Sequence, residues 1–592
     1  MATKQFRETV WHKSEMTRDQ NSEVCLARDL QLSSIMARLL VARGVTDSEQ
    51  ARPYLYPEKN DFLDPFLFSD MEKAVEIIHE TVVAGGGILV FGDYDVDGIL
   101  SISLLRLAFS EMGYNLSYRI PDRVNEGYGL NRDDIISARD SGVELIITVD
   151  CGSSNVDEVL FAKSLGIRVI ITDHHEVSGP VPQADAFLNP KAPESSYPFK
   201  TLAGVGVAFK LLCGYCARKA PEIDPFRWLD LVALATVADI VPLDGENRTI
   251  VSLGMNDVNS TGNIGLQTLI DKVGLKGRLI SPGHISFTIA PKINAAGRVG
   301  DPGNAVELFC SADPSSAIKY AANLMEANQH RQKVEKDILA RAEELLSSLD
   351  SKADDDVIVL DFEGWNLGVI GIVASLLKDR HHCPVILIGK DGDRARGSGR
   401  SIEGFSLYDA LASLPDDMLQ FGGHDLAVGL SMESRRIPEM KRALSEIWRH
   451  RMDPVMKEKR LHIDMELCFS DIDAKLVEDL GLLRPFGPRN RPPVFVARDC
   501  SIIKHRRVGY RRNHLWFIAG QGKHVFEGIG FNLGPLEENL ISPAQTVDLA
   551  FDIGMNENRK GRYIQLKLKD LMVSDARFFG ELFREDGGED DN

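Results

Sequence analysis

From about residue 71 to residue 240 the chain alternates between two hydrophobic periods. MEKAVEIIHETVVAG spaces its apolar positions as a helix does, ILVFG is a short continuous apolar run, and ISLLRLAFSEMG returns to helical spacing. VELIITVD, VDEVLFAKSLG and IRVIITDHH repeat the cycle, and the two strand-like segments resemble each other as successive βα units would. Short β-branched runs between amphipathic helices predict a parallel sheet covered on both faces. Upstream, residues 22–56 read as two helices, the second opening at Thr46-Asp47-Ser48-Glu49, a capping-box pattern. Residues 315–350 contain neither Gly nor Pro and predict one long helix joining two domains, or two shorter helices with a kink. A second α/β region runs from DDDVIVLDF to about residue 450, punctuated by Gly at RARGSGRSIEGF and FGGHDLAVGL. Beyond residue 460, HIDMEL, PVFVARDCSIIKH, HLWFIAG, HVFEGIGF, TVDLAFDIG and RYIQLKLKDLMV alternate as strands. Five or six such strands predict a small β-barrel of the OB type.

The length of 592 residues accommodates three or four such domains. No apolar run approaches the roughly 18 residues of a membrane span, and MATKQFRETVWHKSEM lacks the core of a secretory signal, so a cytoplasmic protein without membrane contact is expected. The eight cysteines are scattered and form no disulfide framework. Cys213 and Cys216 fall in AFKLLCGYCARKA, where helix packing is the simpler reading than a metal or redox pair. The net charge of −19 argues against indiscriminate nucleic-acid binding, but its distribution is uneven. Residues 484–512 carry nine Lys/Arg and one acid, while REDGGEDDN after Phe583 is an acidic tail, solvated or set against a basic partner.

The chemistry concentrates at segment ends. In an open parallel sheet, ligands bind beyond the carboxyl ends of the strands. ILVF runs into Asp93, Asp95 and Asp97, one IIT strand into Asp150, and the next into Asp173, His174 and His175. Asp239, at the end of LVALATVADIVPL, is read in the same way. Acids alternating on an extended stretch project to one side. Carboxylate oxygens favour Mg²⁺ and Mn²⁺, and an imidazole shifts the balance towards Mn²⁺. Two such ions would offset the mutual repulsion and could clamp both oxygens of a phosphoester displacement. Any one of these Asp residues is equally suited to capping the following helix. Five acids and two histidines converging on one edge require charge compensation as well.

GDYDVDG, VDCGSSN, TDHH and ATVADIVPL, in this order, resemble the motifs of the DHH phosphoesterase superfamily. EGYGLN, LAGVGVAFKL and INAAGRVGDP narrow the resemblance to the RecJ family of single-strand-specific exonucleases, over roughly residues 30–575. The resemblance implies that Asp95 and Asp97 each hold one metal with Asp93 beside them, and that Asp150 bridges the two. It implies that His174 and Asp239 complete the second site, and that His175 contacts the scissile phosphate or orients the attacking water. Asp173 would support the imidazoles. Asn294 and Arg298 match positions near the reacting phosphate; a surface turn with a solvated Arg is the plain alternative. The second α/β region resembles the DHH-associated domain. There Arg396, Ser398, Gly399 and Arg400 would cradle a phosphate with backbone N–H groups and guanidinium, and Gly422, Gly423 and His424 would contact substrate. In the barrel, Arg506, Arg507, Arg511 and Arg512 would bind the strand, with Phe486, Phe495, Tyr510 and Trp516 as aromatic candidates. For Phe495 and Trp516 the barrel core is the preferred place. PFGPRNRPP departs from the family's Gly-Asn-Pro turn.

The predicted organisation is an N-terminal helical segment (1–70), a parallel-sheet DHH domain (71–314) and a connecting helix (315–350). A DHH-associated α/β domain (351–455), an OB-like barrel (456–575) and the acidic tail (576–592) follow. The resemblance implies a 5′→3′ exonuclease that releases nucleoside 5′-monophosphates with two Mn²⁺ or Mg²⁺ ions. It also implies work in recombinational and mismatch repair, beside single-strand-binding protein and a RecQ-type helicase, as a monomer. A relative acting on short oligonucleotides or cyclic dinucleotides is the rival reading, disfavoured by the long C-terminal region. A metal-free scaffold is disfavoured because every expected acid is present.

Overall fold

The computed structural model describes residues 9–13, 19–123, 126–127, 129–177, 179–348, 357–415, 417–453, 459–540, 546–558 and 561–574. The predicted acidic tail lies outside them. The chain forms two compact units, one of residues 58–457 and 487–489, the other of residues 1–57, 458–486 and 490–592.

The first unit is built on a five-stranded, wholly parallel sheet. Its spatial order is Ser117–Arg119, Gly87–Gly92, Val143–Val149, Arg168–Thr172 and Ala186–Leu188. The chain turns one way from Gly87–Gly92 to the edge strand and the other way to Val143–Val149, so the switch point lies between those two strands. Their residues are buried on both faces. Leu145 and Ile147 pack into the large core with Ile99, Leu104 and Val205, and Ile146 packs into the opposite layer with Ile135 and Val159. This two-sided burial is why the strands are continuous apolar runs. Residues Pro314–Ser348 form one uninterrupted helix.

Within the same unit, Ile358–Glu363 pairs parallel with Val385–Asp391. Arg394–Arg400, Ala427–Glu433 and Leu419–His424 extend this second sheet antiparallel. The helix Leu367–His381 carries its own core with Trp365, Val385 and Leu387.

In the second unit, Phe495–Val508, His514–Gln521, His524–Gly530, Gly561–Val573 and Thr546–Asn558 pair in that order. The last strand returns to pair with the first, which closes a five-stranded barrel. Phe495, Leu515, Phe517, Leu549, Phe551 and Leu566 fill it.

The N-terminal region departs from the expected pair of helices. Thr9–Lys13 is a strand, parallel to Lys459–Ile463. Three helices follow, Gln20–Leu30, Ser34–Ala42 and Ser48–Leu55. Gln31 adopts φ 55°, which ends the first helix, and the Ser33 hydroxyl caps the second by accepting from Met36 N–H. Asp47 caps the third, one residue later than the capping-box pattern placed it.

Candidate metal centre

The sheet register builds the site. Gly92 lies opposite Val149, and Val149 opposite Thr172, so Asp93, Asp150 and Asp173 leave three adjacent strands side by side. Asp95 caps the helix Val96–Glu111 by accepting from Asp97 N–H and Gly98 N–H. Asp97, in the first turn of that helix, accepts from Gly204 N–H at 2.6 Å and Val205 N–H at 2.8 Å, at the start of the helix Gly204–Lys219. Capping and convergence therefore coexist on the same acids. Asp150 stands at φ 59°, a left-handed conformation that costs a non-glycine residue about 1–3 kcal/mol. A Cβ on Gly204 would come within 2.7 Å of Asp150 Oδ1, so the close approach of that helix requires glycine.

His174 is the hub. Its Nε2 lies 3.1 Å from Asp150 Oδ1, 3.7 Å from Asp239 Oδ2 and 3.8 Å from Asp97 Oδ2. Asp239 arrives from a helix rather than a strand: LVALATVA lies within the helix Leu229–Ala238, and Asp239 is its C-cap. The segment is apolar all round because the helix is buried all round, which hides its period. Asp173 accepts from His175 Nδ1 at 2.8 Å and from the N–H groups of Ser153, His174 and His175. Burial opposes ionisation of Asp173, but these bonds, led by His175, hold it below the ordinary carboxylate range. In return, despite burial, Asp173 holds the half-exposed His175 imidazole above its usual value.

Three donor sets result, Asp93–Asp95–Asp150, Asp97–His174–Asp239 and Asp150–His174–His175, the donor atoms of each lying within 4.8 Å of one another. Asp150 and His174 each belong to two. Burial, reinforced by the neighbouring carboxylates, pushes Asp93, Asp150 and Asp239 well above the carboxylate range. Burial and then Asp95 push Asp97 up to about 7. Burial and then His175 bring His174 down to about 3, so its ring is neutral and able to ligate. Asp93 Oδ1, His174 Nε2 and Asp239 Oδ2 are buried without a hydrogen-bond partner. A divalent cation would supply what these atoms lack, and carboxylates with one or two imidazoles suit Mg²⁺ or Mn²⁺.

Cations face this cluster. Asn294 accepts from Val96 N–H through Oδ1, and Arg298 donates to Gly368 O at 2.8 Å, at the first turn of the helix Leu367–His381. Arg298 is therefore held against that turn, not solvated. Ser398 Oγ and Arg400 Nη2 lie over Gly371 in the same helix, and Arg400 donates to Ser398 Oγ at 3.0 Å. Burial and then Arg123 bring Arg298 down to about 10, and the same two causes lower Arg400. Arg123, which sequence reasoning missed, stacks its guanidinium 4.7 Å from the Tyr94 ring centroid. It lies in a loop without periodicity, and only its proximity to EGYGLN could have marked it.

Two expectations need correction. Arg394–Arg400 is a strand paired on both sides, so its backbone N–H groups serve the ladder and do not cradle a phosphate; only side chains such as Ser398 and Arg400 are available. Gly422, Gly423 and His424 close the hairpin to Ala427–Glu433 and are exposed. Gly423 has φ 134°, and a Cβ there would meet Ala427 O at 2.3 Å, so the turn itself requires this glycine. In the barrel unit, Phe495 is in the core, as expected, but Trp516 is not. It lies on the outer face, half-buried, with the Arg506 guanidinium 4.7 Å from its ring centroid. Arg507 is ion-paired with Glu537 and Glu538, Phe486 is half-buried against the core, and Tyr510 is fully exposed.

Three segments match known family profiles: "DHH family, N-terminal domain" over residues 87–236, "DHHA1 domain" over 354–449 and "RecJ OB domain" over 463–570. The chain is 35% identical over 567 residues to the single-stranded-DNA-specific exonuclease RecJ of Bacillus subtilis (strain 168), covering 95% of this chain and 71% of that one. The chain belongs to the RecJ family. RecJ of Escherichia coli (strain K12) is 32% identical, covering 91% and 96% of the two chains. The crystal structure of RecJ in complex with Mn²⁺ from Thermus thermophilus superposes with a TM-score of 0.81 at 26% identity, covering 96% of this chain and 80% of that one. The Mg²⁺ complex of the same RecJ gives 0.75 at 25% identity, covering 96% and 79%. The RecJ fold is thus that of this chain: a parallel-sheet DHH domain, a second α/β domain and a C-terminal barrel.

Proposed function

We propose that this chain is a single-stranded-DNA-specific exonuclease that works 5′→3′, releases nucleoside 5′-monophosphates and holds two divalent ions, Mn²⁺ or Mg²⁺. The carrying observation is the pair of donor sets Asp93–Asp95–Asp150 and Asp97–His174–Asp239, joined through the contact of Asp150 with His174, with arginines facing them. In this reading Asp93 and Asp95 would hold one ion, Asp97, His174 and Asp239 would hold the other, and Asp150 would be available to both. When bound, the ions lower the pKa of water and stabilise the attacking and leaving oxygens of an in-line displacement. His175, ordered by Asp173, contacts the scissile phosphate. Asn294 fixes the start of the Asp97 helix by accepting from Val96 N–H. Arg298, Arg400 and Ser398 take the terminal phosphate at the first turn of Leu367–His381, where helix N–H groups favour an anion. A terminal-phosphate clamp beside the cleavage site is what an exonuclease requires. Gly422, Gly423 and His424 offer an exposed hairpin to the strand, and the outer face carrying Arg506 offers a positive, aromatic surface. The polarity, the repair setting and the partnership with single-strand-binding protein and a RecQ-type helicase rest on the family resemblance.

The test is a single strand labelled at one end and then at the other, incubated with Mn²⁺, Mg²⁺ or EDTA, with Asp150→Ala as control. Immediate release of labelled mononucleotide from the 5′ label alone, lost in EDTA and in the variant, is the expected result. Release from the 3′ label first, or near-normal cleavage by Asp150→Ala, would contradict it. Inactivity on long strands with cleavage of dinucleotides would favour the small-substrate rival.

A further inference from the structure

We propose that Phe287 is a base-stacking platform on the path of the single strand, and that Ile240 is a second apolar contact, beside the metal centre; this rests on the exonuclease reading above. Among the described residues between 58 and 457, few large apolar side chains are mostly exposed, and Phe287 (83%), Leu279 (81%) and Ile240 (69%) are among them. A phenylalanine so exposed forgoes the burial that usually fixes it. Scattered exposed apolar residues are ordinary. The place of these is what carries the inference.

Phe287 lies on a π-helical turn, Ile285–Ile289, in which Ala290 N–H reaches Ile285 O, five residues back. Such wide turns are rare and recur at functional sites. This one runs directly into the helix Ala290–Val299, which carries Asn294 and Arg298. Ile285, Ile289, Ile293 and Ala296 form the buried row of this continuous helical stretch. Asn294 and Arg298, four residues apart, lie on another row. Followed back by steps of three or four, that row passes through half-buried Pro291 to Phe287. One row of one rod therefore runs from the exposed aromatic ring to the arginine assigned to phosphate. Eleven residues at 1.5 Å each separate Phe287 from Arg298 by about 16 Å along the axis. That matches about five nucleotides at the 3.4 Å rise of a stacked strand, and fewer in an extended one.

The element that carries Asp239 presents a second exposed apolar group. The π turn packs against the helix Leu229–Ala238, whose C-cap is Asp239. The next residue, Ile240, stands at φ 62°. A β-branched residue in that region is a strained outlier, yet its side chain is largely in solvent rather than in the core. The helices that carry Asp239 and Arg298 thus each adjoin a bare apolar group. Nucleobases are the occupant that fits. They are the apolar faces of a chain whose phosphates the same row already addresses, and an aromatic ring stacks on any base without sequence preference.

The experiment uses the full chain with Mn²⁺ and compares wild type, Phe287→Ala and Phe287→Trp on a dinucleotide and on a strand of about twelve nucleotides. For Phe287→Ala, KM on the longer strand should rise roughly tenfold with kcat retained. KM on the dinucleotide, too short to span from the arginine to the ring, should not change. The tenfold ratio should be the same at about 50 and 200 mM salt, since stacking releases no counterions. Phe287→Trp should restore KM. An active wild type with no KM change in Phe287→Ala, or an equal change on both substrates, would overturn the inference. A wild type that cleaves neither substrate would overturn the exonuclease reading, and this inference with it.

Discussion

At the residue scale, the centre is a set of acids that folding forces together and that their own charge drives apart. Carboxylates raised by burial bind protons more tightly in the folded than in the unfolded chain. In the absence of metal, their contribution is fully present below the unfolded carboxylate pKa near 4 and is lost as pH rises through the folded values, about 7 for Asp97. A divalent ion replaces those protons. The gap in melting temperature between protein in Mn²⁺ and protein in EDTA should therefore widen from about pH 5 to pH 8. A gap independent of pH would mean that the ion does not discharge these acids. Most of the cluster was legible in the sequence, because a strand end is easy to find and the carboxyl-end rule says which edge it serves. Asp239 was legible as an acid but not as a helix cap, since LVALATVA is apolar on every side. Arg123 was not legible, because only the fold brings it over Tyr94.

At the element scale, the alternation of side chains along a strand separates neighbours that sequence treats as one basic run. Arg506 stacks on Trp516 on the outer face of the barrel, whereas Arg507 is held by Glu537 and Glu538. Arg506→Ala should weaken binding of a single strand and reduce the slope of log affinity against log salt by about 1. Arg507→Ala should leave that slope nearly unchanged, because its charge is already matched. Equal effects in a salt titration of binding would place the strand elsewhere. The long helix, the parallel sheet and the barrel strands could all be read from local period. The strand Thr9–Lys13 could not, since its partner begins at Lys459 and nothing local marks so distant a pairing. Trp516 was misplaced for a related reason: aromatic residues in a strand suit either face, and only its register against Arg506 decides which.

At the scale of the whole molecule, the division of the chain follows burial rather than sequence order. Residues 1–57 belong with the barrel because Leu26, Met36 and Leu40 share its core with Leu476 and Phe495. The catalytic unit has its own buried anchor. Lys210 is buried, donates to Leu63 O at 2.7 Å and is ion-paired with Glu246, which also accepts from Tyr197 Oη. Lys210→Met should destabilise this unit by about 3–5 kcal/mol, since it leaves a buried carboxylate without its cation. Chemical denaturation would show it, and Lys210→Met with Glu246→Gln should recover much of the loss. A change below about 1 kcal/mol would mean that the pair is not buried in solution.

In the proposed centre two ions would share Asp150. Anomalous diffraction from crystals grown with Mn²⁺ tests it most directly. Two manganese peaks about 3.5–4 Å apart are expected, one beside Asp93 and Asp95, one beside Asp97, His174 and Asp239, with Asp150 between them. A single peak at full Mn²⁺ saturation, or two peaks that leave Asp150 unligated, would contradict it.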